Sequence, residues 1–137
     1  MKTILLLPLL FLIGCSTPGP IFQQATMTEG VGLLYIYRPH STLHSTKNLT
    51  VSINGERKGR LSNKTYMALS LQPGKSRVKV GKMTLTTEVV AGQSLYVRFK
   101  YVGGPSALLD YERGQLRQIK DESVVMREIA NITLVGQ

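Results

Sequence analysis

Two histidines, His40 and His44, are the residues whose type and spacing first suggest chemistry, because they lie four positions apart. On a helix this spacing places two imidazoles on one face, where they could bind zinc. Here they follow Pro39 in a stretch rich in serine and threonine, where a helix is disfavoured. Zinc sites take at least three protein ligands, and no cysteine or nearby carboxylate completes the set. We interpret both histidines as loop residues and predict no metal site.

Other candidate catalytic residues are equally isolated. Ser41 and Ser45 stand beside the histidines, but the sequence lacks the Gly-x-Ser-x-Gly pattern that presents a serine nucleophile on a strained turn. Four acidic residues are better explained as solvated or helix-capping groups than as a glycosidase pair. They are Asp110, Glu112, Asp121 and Glu122. We predict no catalytic residue and no cofactor, and the protein is not expected to be an enzyme.

The one cysteine, Cys15, lies just after an apolar run from Ile4 to Ile13. This run follows the positive charge of Lys2. A run of about ten residues is too short for a bilayer core that needs about twenty helical residues, and it suits the hydrophobic region of a secretory signal. The alternative is a buried N-terminal helix or strand. No polar residue interrupts the run to create an amphipathic face, which disfavours that alternative.

The residues Leu12-Ile13-Gly14-Cys15 resemble the lipobox of bacterial lipoproteins, with a small residue before the cysteine. The resemblance implies that residues 1–14 are a signal peptide, cleaved between Gly14 and Cys15, and that Cys15 carries acyl chains such as palmitate. One chain binds a membrane marginally, at about 0.8 kcal/mol per buried methylene, so three chains hold a protein there essentially permanently. The residue after the cysteine is Ser16, whereas an Asp at this position would resemble a signal for retention in the inner membrane. We therefore expect a periplasm-facing, lipid-anchored protein of the outer membrane.

Removal of the signal leaves 123 residues, enough for one domain. Residues 15–30 are rich in Pro, Gly, Ser, Thr and Gln and are predicted to form the lipidated N terminus and a flexible tether. Residues 31–137 are predicted to form the domain. The formal charge of +9 becomes +8 without Lys2, which favours anionic envelope partners such as lipopolysaccharide or peptidoglycan. The sequence shows no basic helix of the kind that binds nucleic acid, so we expect no nucleic-acid partner.

Short apolar runs with alternating polar residues indicate β-strands separated by Gly and Pro turns. Asn54-Gly55 predicts a type I′ hairpin, and Asp121 is a plausible N-cap for a short helix. The pattern predicts a mainly β fold, an antiparallel β-sandwich of seven or eight strands with one short C-terminal helix. The predicted strands are 33–37, 49–53, 57–61, 65–71, 76–80, 85–89, 95–101 and 107–111, and the predicted helix is 122–131.

The sequence contains a succession of short motifs, Tyr35-Ile36-Tyr37-Arg38-Pro39, Val51-x-Ile53-Asn54-Gly55, Gly59-x-Leu61, Tyr66, Leu71-x-Pro73-Gly74, Ala91-Gly92 and Tyr96-Val97-Arg98. In this order and spacing they resemble a family of bacterial lipoproteins known as domain of unknown function 2846. The resemblance covers about residues 30 to 115 and implies a β-sandwich similar to PEGA-type and carboxypeptidase-regulatory-like modules. No activity is established for that family, so the resemblance implies no catalytic residue.

Basic residues at predicted outward positions of the strands could form a stripe if those strands share a face. They are Arg57, Lys58, Arg60, Arg77, Lys79, Arg98 and Lys100. We select Arg77, Lys79, Arg98 and Lys100 as the candidate face for an anionic ligand. The alternative is that these cations protect exposed strands from edge-to-edge aggregation.

Two functions fit these features. The first is a membrane-anchored, non-enzymatic interaction or assembly module of the cell envelope. The second is the binding of lipopolysaccharide or peptidoglycan through a basic sheet face. The partner, the envelope process and the oligomeric state stay open.

Overall fold

The computed structural model describes residues 22–42, 44–102 and 113–135. The predicted signal peptide, Gly14, Cys15 and the predicted strand 107–111 lie outside these residues. Nine strands and one helix are present in the described ranges. They are β1 Gly32–Arg38, β2 Leu49–Ile53, β3 Glu56–Leu61, β4 Thr65–Leu71, β5 Gly74–Val80, β6 Met83–Val89, β7 Ser94–Val102, β8 Arg113–Gln118, α1 Glu122–Ile129 and β9 Thr133–Leu134.

The strands form two sheets. One has five strands in the order β8-β7-β1-β4-β9, and the other has four in the order β3-β2-β5-β6. The mainly β fold with one short helix is confirmed. The sheets are not wholly antiparallel, because β1 pairs in parallel with β7 and β4 pairs in parallel with β9. Side-chain alternation reports which face a residue occupies, and it carries no information about which neighbour a strand adopts.

The main core lies between the two sheets and combines side chains from both. Strand β1 is buried along its whole length because its opposite face is covered as well. Leu34 and Ile36 point into the core between the sheets. Tyr35 and Tyr37 point to the outer side of the five-stranded sheet, where α1 covers them. A strand buried on both faces reads as a continuous apolar run, as β1 does.

The segment that was predicted to be part of a flexible tether packs on the domain from Phe22 onward. The Phe22 ring lies 5.4 Å from the Tyr35 ring and 5.0 Å from the Tyr66 ring, in edge-on geometry. The amide of Ala25 donates a hydrogen bond of 2.8 Å to the Tyr35 hydroxyl. The tether prediction is therefore wrong for these residues. A stretch without periodicity gave no sign that its isolated aromatic ring covers a sheet.

Local signals place the turns and the helix. Asn54 and Gly55 have φ values of 51° and 84°, as a type I′ turn requires, which confirms the predicted hairpin. The Asp121 side chain accepts a hydrogen bond of 3.0 Å from the amide of Ser123 and caps α1. The sequence interpretation missed β8 and β9. Strand β8 is mostly polar, with Leu116 buried, and β9 has two residues.

Candidate functional site

The outer face of the four-stranded sheet carries a set of exposed basic residues. Val78 and Val80 of β5 are fully buried between the sheets. Because successive side chains of a strand point to opposite faces, Arg77 and Lys79 point to solvent. Both are exposed, as the predicted candidate face required of them.

Strand register extends this face across neighbouring strands. Ser52 of β2 lies opposite Lys79 on one side and opposite Arg57 on the other. Directly paired residues share a face, so Arg57 and Lys79 flank one serine. In the same way, Thr50 pairs with Arg60. Across the β5–β6 pair, Lys79 faces Thr84, Arg77 faces Thr86 and Lys75 faces Glu88.

We call this surface the basic sheet face and define it by five exposed cations. They are Arg57, Arg60, Lys75, Arg77 and Lys79. Hydroxyl side chains alternate with them and supply neutral hydrogen-bond donors and acceptors. Glu88 is the acidic residue that the described pairings place on this face, opposite Lys75. The face therefore combines net positive charge with hydroxyl groups.

A shallow hollow of about 400 Å³ opens at the turn end of this face. Lys75, Arg77, Thr86 and Asn54 contribute to its lining. The Asn54 side-chain oxygen accepts a hydrogen bond of 2.8 Å from the Arg77 amide, and the Asn54 amide donates one of 2.9 Å to the Arg77 carbonyl. These two bonds fix the β2–β3 turn against β5, so the walls of the hollow are held by backbone.

The four residues selected from the sequence do not form one face. Arg98 and Lys100 belong to β7, where Val97 and Phe99 point into the core between the sheets. Their side chains therefore lie on the outer side of the five-stranded sheet, opposite to Arg77 and Lys79. The selection was wrong because alternation separates inward from outward positions within a sheet without saying which of two sheets a strand joins.

Arg98 is also engaged within the protein. Its guanidinium donates a hydrogen bond of 2.6 Å to Oε1 of Glu128 on α1, and the Tyr37 hydroxyl donates one of 2.7 Å to Oε2. Burial and the Glu128 carboxylate raise the pKa of the Tyr37 hydroxyl above its usual value. Arg98 thus belongs to the contact between helix and sheet. Lys58 lies at the edge of the four-stranded sheet, and its Nζ atom is 3.4 Å from Oε1 of Glu56.

The two histidines lie in an exposed loop, as predicted. The His44 ring is 4.6 Å from the Tyr101 ring. The buried guanidinium of Arg38 holds this loop by donating hydrogen bonds of 2.5 Å and 2.7 Å to the carbonyls of Lys47 and His44. Across the described ranges, no group of three His, Cys, Asp or Glu residues is arranged to hold a metal ion. Asp110 and Glu112 lie outside those ranges.

A second hollow, of about 500 Å³, lies where β7 begins and α1 starts. Its lining includes Gln93 and Gln118 together with Lys120 and Glu122. The buried Tyr96 also contributes to this lining. Because one cation and one acid balance each other here, this hollow has no preference for an anion. The basic sheet face is the better anion site.

The sequence analysis placed Asn54 in a turn and began the predicted strand at Ser76, so it missed both Asn54 and Lys75. The signal that could have found Lys75 is its place two residues before Arg77 and four before Lys79, since residues i, i+2 and i+4 of a strand share one face.

The helix in the part of the chain that the structure describes is too short to cross a membrane.

Two packed sheets with a short helix on one outer surface define a mainly β sandwich domain. The chain belongs to the family described as protein of unknown function (DUF2846), whose model matches residues 28–110. The family expected from the sequence motifs is thereby confirmed. Among solved structures, the N-terminal domain of AlgF from P. aeruginosa is similar, with 16% identity, a TM-score of 0.44, and coverage of 68% of this chain and 98% of that one. No curated protein gives a significant match.

Proposed function

We propose that this protein is a non-enzymatic interaction module of the cell envelope that binds an anionic envelope polymer through its basic sheet face. Acyl chains on Cys15 hold it at the periplasmic side of the outer membrane in this proposal. The observation that carries the binding function is the presence of five exposed cations on one outer sheet surface.

The spacing of the cations suits a repeating anion. Residues that alternate along a strand lie about 7 Å apart, and neighbouring strands lie about 5 Å apart. Arg57 and Arg60 can each form a fork of two hydrogen bonds with a carboxylate or phosphate. A polymer with an anion on successive repeats could therefore contact two or more strands at once.

Electrostatics also predict how this binding behaves. An exposed ion pair contributes only about 0–1 kcal/mol, so useful affinity requires several contacts at the same time. Such contacts weaken as the Debye length falls from about 10 Å at 0.1 M salt to about 3 Å at 1 M. Binding through the basic sheet face should therefore be strongly salt-dependent.

The test uses the full-length protein with purified peptidoglycan and, separately, lipopolysaccharide. The variant Arg57→Glu/Arg77→Glu/Lys79→Glu should bind at least about tenfold more weakly, because three simultaneous contacts are lost. A matched control, Arg117→Glu/Lys120→Glu/Arg127→Glu, reverses three exposed charges away from the face and should bind as the native protein does. Equal loss in both variants, or binding insensitive to salt, contradicts the polymer-binding proposal.

A protein partner is the other form that an interaction module can take. Crosslinking in intact cells, followed by purification of the anchored protein, would recover one defined envelope protein if assembly is its role. Recovery of that protein by the charge-reversed variant would assign assembly to a different surface. Failure of palmitate to label Cys15 would contradict the anchoring.

A further inference from the structure

The described part of the chain begins at one particular end of the domain. The amide of Phe22 donates a hydrogen bond of 2.9 Å to the carbonyl of Ile132, just after α1. Three residues later, Ala25 contacts the hydroxyl of Tyr35, in the middle of β1. The chain then reaches Gly32, where β1 begins. Residues 22–32 thus run back along the sheet, and Phe22, the first described residue, lies towards the end where β1 finishes.

We call this the exit end. Its described members are residues 39–42 and 44–48 of the β1–β2 loop, the β3–β4 connection 62–64, the β5–β6 turn 81–82 and residues 130–132 after α1. Backbone hydrogen bonds join these parts. The amide of Gly81 donates to the carbonyl of Thr50 at 2.9 Å, and the amide of Thr133 donates to the carbonyl of Lys64 at 3.3 Å.

The exit end presents three exposed lysines, Lys47, Lys64 and Lys82. Among the residues of this end that the structure describes, none is Asp or Glu. The β7–β8 connection, residues 103–112, carries Asp110 and Glu112 and lies outside those residues. Arg38 fixes Lys47 in place through the backbone carbonyl of that lysine. The positive charge of this surface is therefore held on ordered loops.

The opposite end has a different charge. Glu29 precedes β1, Glu56 follows the β2–β3 turn, and Asp121 and Glu122 begin α1. Lys75 and Lys120 lie at the same end. Cations and acids are mixed there, whereas the described loops of the exit end are basic only.

We infer that the exit end faces the membrane and that Lys47, Lys64 and Lys82 contact the anionic headgroups of the bilayer. The inference rests on the proposed lipidation of Cys15. Six residues separate Cys15 from Phe22, and seven residue steps span at most about 25 Å. The anchor therefore holds this end close to the lipid, and lysines near an anionic surface are attracted within about a Debye length of 10 Å.

This orientation assigns the remaining surfaces. The strands of both sheets run between the exit end and the opposite end. In this orientation their axes therefore extend outward from the bilayer surface. The basic sheet face then lies along the side of the domain, accessible to a polymer next to the membrane. The mixed end points into the periplasm.

The native sequence makes a direct test possible, because its single cysteine is the one that is lipidated. A cysteine introduced elsewhere is then a unique labelling site. Thr46→Cys places a fluorophore on the exit end, and Gln72→Cys places one in the β4–β5 turn at the opposite end; both residues are exposed. The full-length lipidated protein is reconstituted in phosphatidylglycerol/phosphatidylcholine vesicles that contain a headgroup-attached quencher.

We expect several-fold stronger quenching at position 46 than at position 72. The variant Lys47→Glu/Lys64→Glu/Lys82→Glu should lose this difference while its acyl chains keep it on the vesicles. The control Lys58→Glu/Arg117→Glu/Lys120→Glu, which reverses three exposed cations outside both the exit end and the basic sheet face, should retain it. Circular dichroism of each variant checks that the fold is intact.

The outcomes separate this inference from the proposal beneath it. A protein that stays on the vesicles but is quenched equally at both positions, or more at position 72, overturns the orientation and leaves the anchoring intact. A protein without acyl chains on Cys15 overturns both. A charge-reversed variant that keeps the native difference shows that the lysines do not contribute, and overturns their role.

Discussion

Arg98 and Glu128 form an ion pair with a nitrogen–oxygen distance of 2.6 Å, and this pair joins β7 to α1. The exposed fractions of the Arg98 and Glu128 side chains are 14% and 26%, so most of each side chain is shielded from water. Tyr37 completes the arrangement by donating to the second oxygen of Glu128. A single carboxylate thus connects the helix with two neighbouring strands of the five-stranded sheet.

Replacing Glu128 should therefore destabilise the domain through the partners that it leaves behind. In Glu128→Ala, the Arg98 guanidinium and the Tyr37 hydroxyl both lose an acceptor, and we expect the free energy of unfolding to fall by about 1–3 kcal/mol. Glu128→Gln keeps one acceptor oxygen and should lose less. Urea unfolding measures both. The nearby exposed substitution Arg127→Ala is the control, and a Glu128→Ala loss no larger than that of this control contradicts the expectation.

Much of the fold could be predicted from the sequence because local rules fix it. Asn54-Gly55 tolerates the two positive φ angles of a type I′ turn, and the structure has them. Asp121 provides the side-chain oxygen that an exposed helix start needs. Each of these features depends on neighbours within a few positions of the chain.

Features that depend on distant neighbours were not predictable in this way. Arg98 looks like any outward cation of an alternating strand, and its carboxylate partner lies 30 residues away. Phe22 lies in a stretch without hydrophobic periodicity, and its contact with Tyr66 is set by the tertiary fold. Half of the candidate face was therefore misplaced, while Arg77 and Lys79 were correctly assigned to the solvent side.

Truncation of Phe22 should weaken the domain even though this residue lies outside every strand. Its half-buried ring packs on Tyr35 and Tyr66. We expect Phe22→Ala to lower the free energy of unfolding by about 1–2 kcal/mol, less than the 3–5 kcal/mol of a fully buried ring. Denaturant unfolding of the full-length protein checks this. Thr26→Ala, an exposed position in the same segment, should have little effect, and equal losses would show that the ring is not docked.

Alkaline pH should destabilise the protein through buried tyrosines. Burial is the largest cause that raises the pKa values of Tyr35, Tyr37 and Tyr96 above the ordinary 10.0. The folded state therefore holds these protons more tightly, and the unfolded chain loses them first as the pH increases. This stability is fully present below pH 10 and should be lost as the pH rises through the higher folded values, by at most about 1.4 kcal/mol per pH unit for each tyrosine.

Urea unfolding at a series of pH values, with phenolate absorbance recorded in parallel, measures this effect. Tyr37→Phe removes one of the three groups and should make the loss of stability above pH 10 less steep. It also removes the hydrogen bond to Glu128, so its stability at neutral pH serves as the reference for its own series. A native protein whose unfolding free energy does not change between neutral pH and pH 11, about one unit above the ordinary tyrosine value, would contradict the assignment.

Gly32, at the beginning of β1, lies close to the chain at the end of β6. A Cβ atom at this position would clash with Cγ1 of Val89 and lie 2.8 Å from the backbone carbonyl oxygen of Val90. Gly32→Ala should therefore cost about 1–3 kcal/mol, the usual range for overpacking a core. Adding Val89→Ala removes the side-chain clash but leaves the Val90 carbonyl in place. The second substitution should therefore relieve only part of the strain. Thermal and urea unfolding of Gly32→Ala, the double variant and Val89→Ala alone form a double-mutant cycle. Additive losses in that cycle would show that the two positions do not meet across the sandwich.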